Sequence, residues 1–364
     1  MPLLTEPNLS GRGKREDLMD MIALVDAKDT PFTSMARKGS KPGNMYFRWQ
    51  ADQNPGPTIG GVVDGTDVNN ANANSYTNFV TGYRKELANY AQIFRQAVRV
   101  SKLTQDIADV AGIRDELSDN IAKAIIAIKR SMEATFTSDQ LGQADNATVP
   151  YLTAGIQRWI GNATVGSGLL PLDASTTAPS FVTPAGSIVS GSNASALTDA
   201  TVQNLLKSIY DQTGKYKSFD AIVGTDLKRA FTSLLGTTAL TTTIAPNTAA
   251  GATKVQTFQR DAAADTFIQS VDVFQGDFGT VRLHPTTFIG TVTSGGSNTT
   301  TYTSMPAYGL VLDMDLIEVR YGGNVANVTA LPDYGAGPAR LIEAVAGLVV
   351  GNPLGLGKFT YAAA

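Results

Sequence analysis

An α+β fold is predicted by three stretches of the chain. Residues 45–50 alternate apolar and polar, one long apolar stripe at helical spacing runs from Leu117 to Phe136, and helix and strand patterns follow one another after Leu197. With 364 residues and 43% hydrophobic content, two or three lobes with real cores are expected, and global disorder is excluded. Charged residues are only 17%, below the quarter usual for soluble domains, which suits surfaces destined to be covered by other subunits.

Residues 1–43 mix Pro2, Pro7, Gly11 and Gly13 with one amphipathic piece, "EDLMDMIALVDAKD", and read as an extended arm with a single helix. In the next stretch Met45, Phe47 and Trp49 alternate with Tyr46, Arg48 and Gln50, the period of a half-buried strand. This strand runs into "NPGPTIGGVVDGTDVNNANANS", which has little with which to build a core, and returns through "YTNFVTGYRKELANYAQIFRQAVRVS". Residues 44–101 therefore read as a long hairpin with a wide, soft tip.

A short helix is expected to begin near Ser101, with Gly112 separating it from a long one. In the long helix Leu117, Ile121, Ile125, Ile128, Met132 and Phe136 form one stripe, suited to packing on a sheet. Asp115 and Glu116 near its start and Lys129 and Arg130 near its end complement the helix dipole. "PYLTAGIQRWIGNATVGSG" is a turn-rich segment around Trp159, and Leu170 to Ser195 reads as a long loop. Beyond it, a helix capped by Thr198 and stopped by Gly214 buries Val202, Leu205, Leu206 and Ile209. "FDAIVG" is a short buried strand, and "TDLKRAFTSLLG" a helix from Thr225 to Gly236. "FIQSVDVFQGDFGTVRLHP" reads as two strands about Gly276–Gly279, "YGLVLDMDLIEVRYGG" as one long strand, and the C-terminal stretch as two more.

Chemistry is hard to find. No cysteine is present, which removes thiolate nucleophiles, disulfides and Cys-based metal sites. His284 is the single histidine, and a structural or surface role is expected for it. On a continuous strand Asp313 and Asp315 would face one side, roughly 7 Å apart, a spacing that suits a hard cation or acid/base work, although a solvated or interface-facing edge is the expected reading. "GAGPAR" at 335–340 and "VGSG" at 165–168 resemble phosphate loops only loosely, and neither joins a strand to a helix as such a loop requires. No catalytic residue, cofactor or metal ligand is assigned. A net charge of −3 gives no polyanion-binding signature, and Arg12, Lys14 and Arg15 are balanced at once by Glu16, Asp17 and Asp20. No basic region followed by an apolar one opens the chain, and no apolar run is long enough to cross a bilayer, so folding in the cytosol without a signal peptide or membrane partner is expected.

Taken in order, "TPFTSMARKG", "YFRWQAD", "QIFRQAVRVS", "GIQRWIGN" and "VDVFQGDFGTV" resemble the major capsid proteins of tailed bacteriophages with the HK97-type fold, in the group typified by the phage SU10 major capsid protein. The resemblance implies an N-arm (1–43), an E-loop hairpin (44–101), a discontinuous peripheral domain (102–196 and 304–364) with a spine helix at about 113–139, and an α/β axial domain (197–303). It further implies self-assembly through pentamers and hexamers into an icosahedral shell around double-stranded DNA, held without sequence-specific binding. The chain would be made in the host bacterial cytoplasm and end in the virion, with scaffold, portal and decoration proteins as further partners. Residues 53–79 contain no lysine and Lys85 lies well down the returning arm, so the lysine–asparagine stapling of some shells of this fold is not expected. Another self-assembling structural protein, from a tail, a decoration or a surface layer, is the alternative.

Phe47, Arg48, Trp49, Tyr83, Arg84 and Lys85 are the expected inter-subunit interface. Two strands alone are marginal in water, and about ten residues per arm at ~3.3 Å each carry the tip some 30 Å outward. Trp49 is accordingly expected to be solvated in the free subunit and covered by a neighbour, and Trp159 shielded in both.

Overall fold

The computed structural model describes residues 29–54, 57, 64–65, 83–107, 115–146, 149–161, 181–234, 260–261, 266–267, 271–295 and 299–362. The expected arm helix, the hairpin tip, Gly112, "VGSG" and Gly236 lie outside them. Pro31 opens the one-turn helix α1 (Pro31–Met35), a position where its missing N–H is no loss. The next two N–H groups, of Phe32 and Thr33, donate to the carboxylate of Glu133 at 2.7 and 2.8 Å. β1 (Arg37–Lys38) follows, then β2 (Tyr46–Gln53) and β3 (Tyr83–Tyr90), an antiparallel pair with Tyr46 opposite Tyr90 and Gln53 opposite Tyr83.

The returning arm of the hairpin is two strands, not one. It breaks at Ala91, whose N–H donates to the Met45 carbonyl, and β4 (Gln92–Arg99) continues into a different sheet. α2 (Lys102–Ile107) precedes the long helix α3 (Glu116–Phe136), which is shorter at both ends than the sequence suggests. Asp115 caps it, accepting from the Leu117 N–H and the Ser118 and Gln105 side chains. Those hydrogen bonds, Ser118 foremost, hold its carboxyl down at about 2. At the other end the Thr137 N–H and hydroxyl both turn back to the Glu133 carbonyl. Only the C-terminal part of the stripe (Ile128, Met132 and Phe136) is fully buried; Leu117, Ile121 and Ile125 are half-covered.

α4 (Ile156–Trp159) carries the fully buried Trp159, as expected. The stretch read as a loop from Leu170 to Ser195 contains β5 (Ile188–Gly191), too short and too Ser-rich to stand out. α5 (Asp199–Thr213) follows the sequence reading closely: Thr198 and Thr201 form a reciprocal cap, and Gly214 stops the helix at φ 64°. β6 (Lys217–Val223), α6 (Thr225–Leu234), the two-residue strands β7 (Arg260–Asp261) and β8 (Thr266–Phe267), β9 (Val273–Gly276) and β10 (Gly279–Pro285) come next. β11 (Gly290–Gly295) and β12 (Thr299–Ser304) form a separate hairpin.

The expected long strand over 308–323 is in fact β13 (Tyr308–Leu312) and β14 (Ile317–Tyr321), in different sheets and separated by a 3-10 turn at Met314–Leu316. Asp313 bends the chain there by accepting from the Asp315 N–H. β15 (Asn327–Leu331), β16 (Ala339–Val350) and β17 (Gly357–Tyr361) close the fold, and a second 3-10 turn at Pro353–Gly355 carries the chain between the last two. The two crossings touch, the Gly351 N–H donating to the Leu316 carbonyl at 2.7 Å.

Two sheets result. In one, β14, itself paired with β1, and β15 pair with successive parts of one edge of β16, and β4 pairs with its other edge; the second runs β5-β17-β13-β6-β10-β9. The second sheet therefore takes strands from outside 197–303 as well as inside. Its helix-side face, Phe219, Val223, Val281 and Phe359, packs on Leu205, Leu206 and Phe231 of α5 and α6. Its opposite face, Ile222, Leu310 and Leu312, joins the core that α3 and the first sheet build around Phe136 and Trp159.

Candidate functional site: an assembly surface at the hairpin

The root of the β2–β3 hairpin is set into the body of the chain. Asn89 is fully buried and makes four hydrogen bonds: its amide donates to the carbonyls of Leu348 and Ala154, and its oxygen accepts from the N–H groups of Tyr90 and Ala154. Leu87 and Ala88 beside it are also fully buried. Alternation along β2 then decides which side chains face the body. Phe47 packs against Ala91 and Val349, with the Arg320 guanidinium 5.8 Å from its ring. Gly347 lets that ring approach, since a Cβ there would stand 2.7 Å from it. Trp49 is half-buried; its indole N–H donates to the Val350 carbonyl at 2.8 Å, and its ring lies 5.4 Å from that of Trp159.

This corrects the expectation for Trp49. The indole has its partner surface within its own chain, because the two strands leave the body along the first sheet instead of standing away from it from their first residue. Phe47, expected at an interface, is likewise a buried contact of its own subunit. The sequence signal was sound for the alternation and silent on what the inner face meets.

Beyond the buried Ala88 and Tyr90 at its root, the outer face is polar. Arg48 bonds Glu86 at 3.1 Å and Arg84 bonds Asp52 at 3.3 Å, all four side chains being substantially exposed. Exposed pairs of this kind are screened by water and contribute little, so they act as a pattern of charge more than as a source of stability. Lys85 stands opposite Ala51 on the inner row, half-buried, and Tyr83 pairs with Gln53 at the end of the described strands. Of the six expected residues, the structure sets Arg48 and Arg84 together on one accessible face and turns Phe47 and Trp49 inward. Asp52 and Glu86, their charge partners, were missed because strand register is not legible without the turn.

The remaining candidates for chemistry are occupied by structure. Asp313 and Asp315 do not alternate along a strand; both approach the ammonium of Lys217, at 2.5 and 3.6 Å. That hydrogen bond to Asp313 raises the lysine's pKa, so the cation these carboxylates hold is the chain's own. His284 Nε2 lies 3.0 Å from Asp220, which also bonds Arg282, consistent with the structural role expected. Residues 335–338 lie in the turn between β15 and β16, and Ala339 and Arg340 open β16, so the stretch is not a strand-to-helix loop. Among the described residues no cluster of three His, Cys, Asp or Glu side chains could hold a metal.

A model of the family described as SU10 major capsid protein matches residues 5–363. No curated protein matches the sequence. Among solved structures, the chain is similar to the capsid of cyanophage A-1(L), at 13% identity and a TM-score of 0.60 over 99% of both chains. It is also similar to the capsid of cyanophage P-SCSP1u (8% identity, TM-score 0.57, 96% of this chain and 93% of that one). A native GTA particle capsid matches at 10% identity, with a TM-score of 0.56 over 98% of both chains.

Proposed function

The chain belongs to the SU10 major capsid protein family, and from that membership and the geometry above we propose how it builds a shell. It is a structural capsid protein of the HK97-type fold, found in the virion and assembling with itself. In our reading the shell is icosahedral, closes through pentamers and hexamers after synthesis in the host cytoplasm, and encloses double-stranded DNA. Scaffold, portal and decoration proteins are its further partners. The arm (1–43) and the β2–β3 part of the hairpin (44–101) reach over neighbours while β4 stays in the first sheet, the spine helix anchors a peripheral domain (102–196 and 304–364), and residues 197–303 contribute the helices of an axial domain that borrows strands from 188–191, 308–312 and 357–361. Of the six residues assigned to the inter-subunit surface, Arg48 and Arg84 would meet the neighbour directly. Tyr83 and Lys85 would do so toward the tip, while Phe47 and Trp49 brace the hairpin from within. No catalysis is assigned, since Lys217 and Asp220 already engage the side chains that would carry it.

The observation that supports this reading most is the family match over nearly the whole chain, with a capsid fold matched end to end on both sides. Electron microscopy of the purified protein is expected to reveal closed shells or capsomers. A stable monomer across wide ranges of concentration and ionic strength would overturn the reading, and tubes or sheets alone would favour a different structural protein.

A second outcome concerns the enclosed DNA. With a net charge of −3 and no basic stripe in the sequence, unassembled subunits are expected to bind duplex DNA weakly and without sequence preference, and to lose it with modest salt. Nanomolar or sequence-specific binding at physiological salt contradicts this.

A further inference from the structure

The strand β15 is exposed at all five of its positions, on both faces. Among the described residues it pairs only with β16, from Asn327 opposite Glu343 to Leu331 opposite Ala339, which leaves its outer edge of backbone N–H and C=O groups unpaired. A strand with no buried face gains nothing from packing, and two strands alone are marginal in water. Proteins ordinarily protect such edges with charge, proline or brevity. The other edges of this sheet follow that rule: β1 is two basic residues, and β4 carries Arg95 and Arg99. By contrast β15, "NVTAL", has no charge and no proline, and its Val328 and Leu331 are 46% and 36% exposed.

The strand is nevertheless held in a fixed pose. In the turn that joins it to β16, Asp333 accepts from the N–H groups of Gly335 and Gly337 at 2.8 and 3.2 Å. Gly337 adopts φ 110° against the Val100 carbonyl, where a Cβ would come within 2.2 Å, so no other residue fits. A firmly positioned, uncharged edge is what strand addition requires.

We infer that β15 is an interface between copies of this chain, in which β15 of one subunit adds antiparallel to β15 of a neighbour across a two-fold axis and joins their sheets into one. The inference rests on the shell reading, which supplies a second copy of the chain as the occupant. An uncharged strand suits an isologous contact because each residue meets its own mirror position, where like charges would repel. Three strands from each side, β4, β16 and β15, would then form a continuous surface, and Val328 and Leu331 would each be covered on one face.

The absence of native cysteine makes a direct test possible. In an antiparallel two-fold pair one residue lies opposite its own copy, with Cα atoms about 4.5–5.5 Å apart, within disulfide range. Val328→Cys, Thr329→Cys and Ala330→Cys variants would be assembled separately and oxidised, with Tyr334→Cys as control, since Tyr334 is 82% exposed in the turn beyond the strand. One of the three strand variants is expected to give disulfide-linked dimers in most subunits, at least fivefold above the control. Shells that form normally with none of the three exceeding the control would overturn the strand pairing and leave the shell reading standing. A protein that stays monomeric in all four variants and in the parent would overturn both.

Discussion

Replacing Trp49 with alanine is expected to lower the stability of the unassembled subunit by about 2–4 kcal/mol, seen as a lower urea midpoint at unchanged slope. The half-buried indole fills the space between Phe47, Trp159 and the first sheet, and its N–H satisfies the carbonyl of Val350. Truncation removes the packing and leaves that carbonyl without its partner, two losses that add. Trp49→Phe should recover most of the packing and none of the hydrogen bond, and so fall between. A midpoint unchanged by Trp49→Ala would return the indole to the role first expected, a contact completed only by a neighbouring subunit.

Glu133 is expected to have an effect of similar size with a distinctive dependence on pH. Its carboxylate is fully buried in the last turns of α3 and accepts from the two N–H groups that open α1. Burial raises its pKa above the ordinary carboxylate value, and the two backbone hydrogen bonds only partly oppose that rise. At pH between the unfolded and folded values, the folded state therefore binds more protons than the unfolded one. The contribution of Glu133 to stability is fully present below the unfolded value near 4.5 and declines as pH rises through the folded one. Glu133→Ala strands two amides and should cost about 2–4 kcal/mol. Glu133→Gln keeps an acceptor but cannot ionise. Measured from pH 4 to pH 8, the parent should lose stability relative to this variant as pH rises. A difference that stays flat, or grows in the parent's favour with rising pH, would contradict the assignment.

Sequence patterns recovered what depends on local chemistry. The cap at Thr198, the stop at Gly214 and the apolar face of α5 are each written within one turn of helix, and the inward set of β2 within six residues. What could not be read depends on partners far along the chain. Nothing near Glu133 announces that it will cap a helix begun a hundred residues earlier, and nothing near Trp49 announces Val350. The break between β13 and β14 is not legible because Asp313, Met314 and Asp315 continue the alternation of a strand; the turn is decided by the Asp313 carboxylate accepting from the Asp315 N–H and by Lys217 on a neighbouring strand. At the candidate interface, the alternation identified which residues share a face, whereas the placement of the body beneath them decided which face remains open.

The pairing of two tight crossings between the sheets, β13 to β14 and β16 to β17, has a mechanical consequence. A single connector would act as a swivel, free to turn about its own axis. Here two of the chain's passages between the sheets, at Met314–Leu316 and at Pro353–Gly355, are tied side by side by the Gly351–Leu316 hydrogen bond. Two adjacent rods make a hinge plate: torsion would shear one against the other, and only bending perpendicular to the pair stays soft. With Ile222, Leu310 and Leu312 already seated in the other sheet's core, even that bending meets packed side chains. Each subunit thus behaves as a stiff tile, and the curvature of a closed shell has to be set at the seams between tiles.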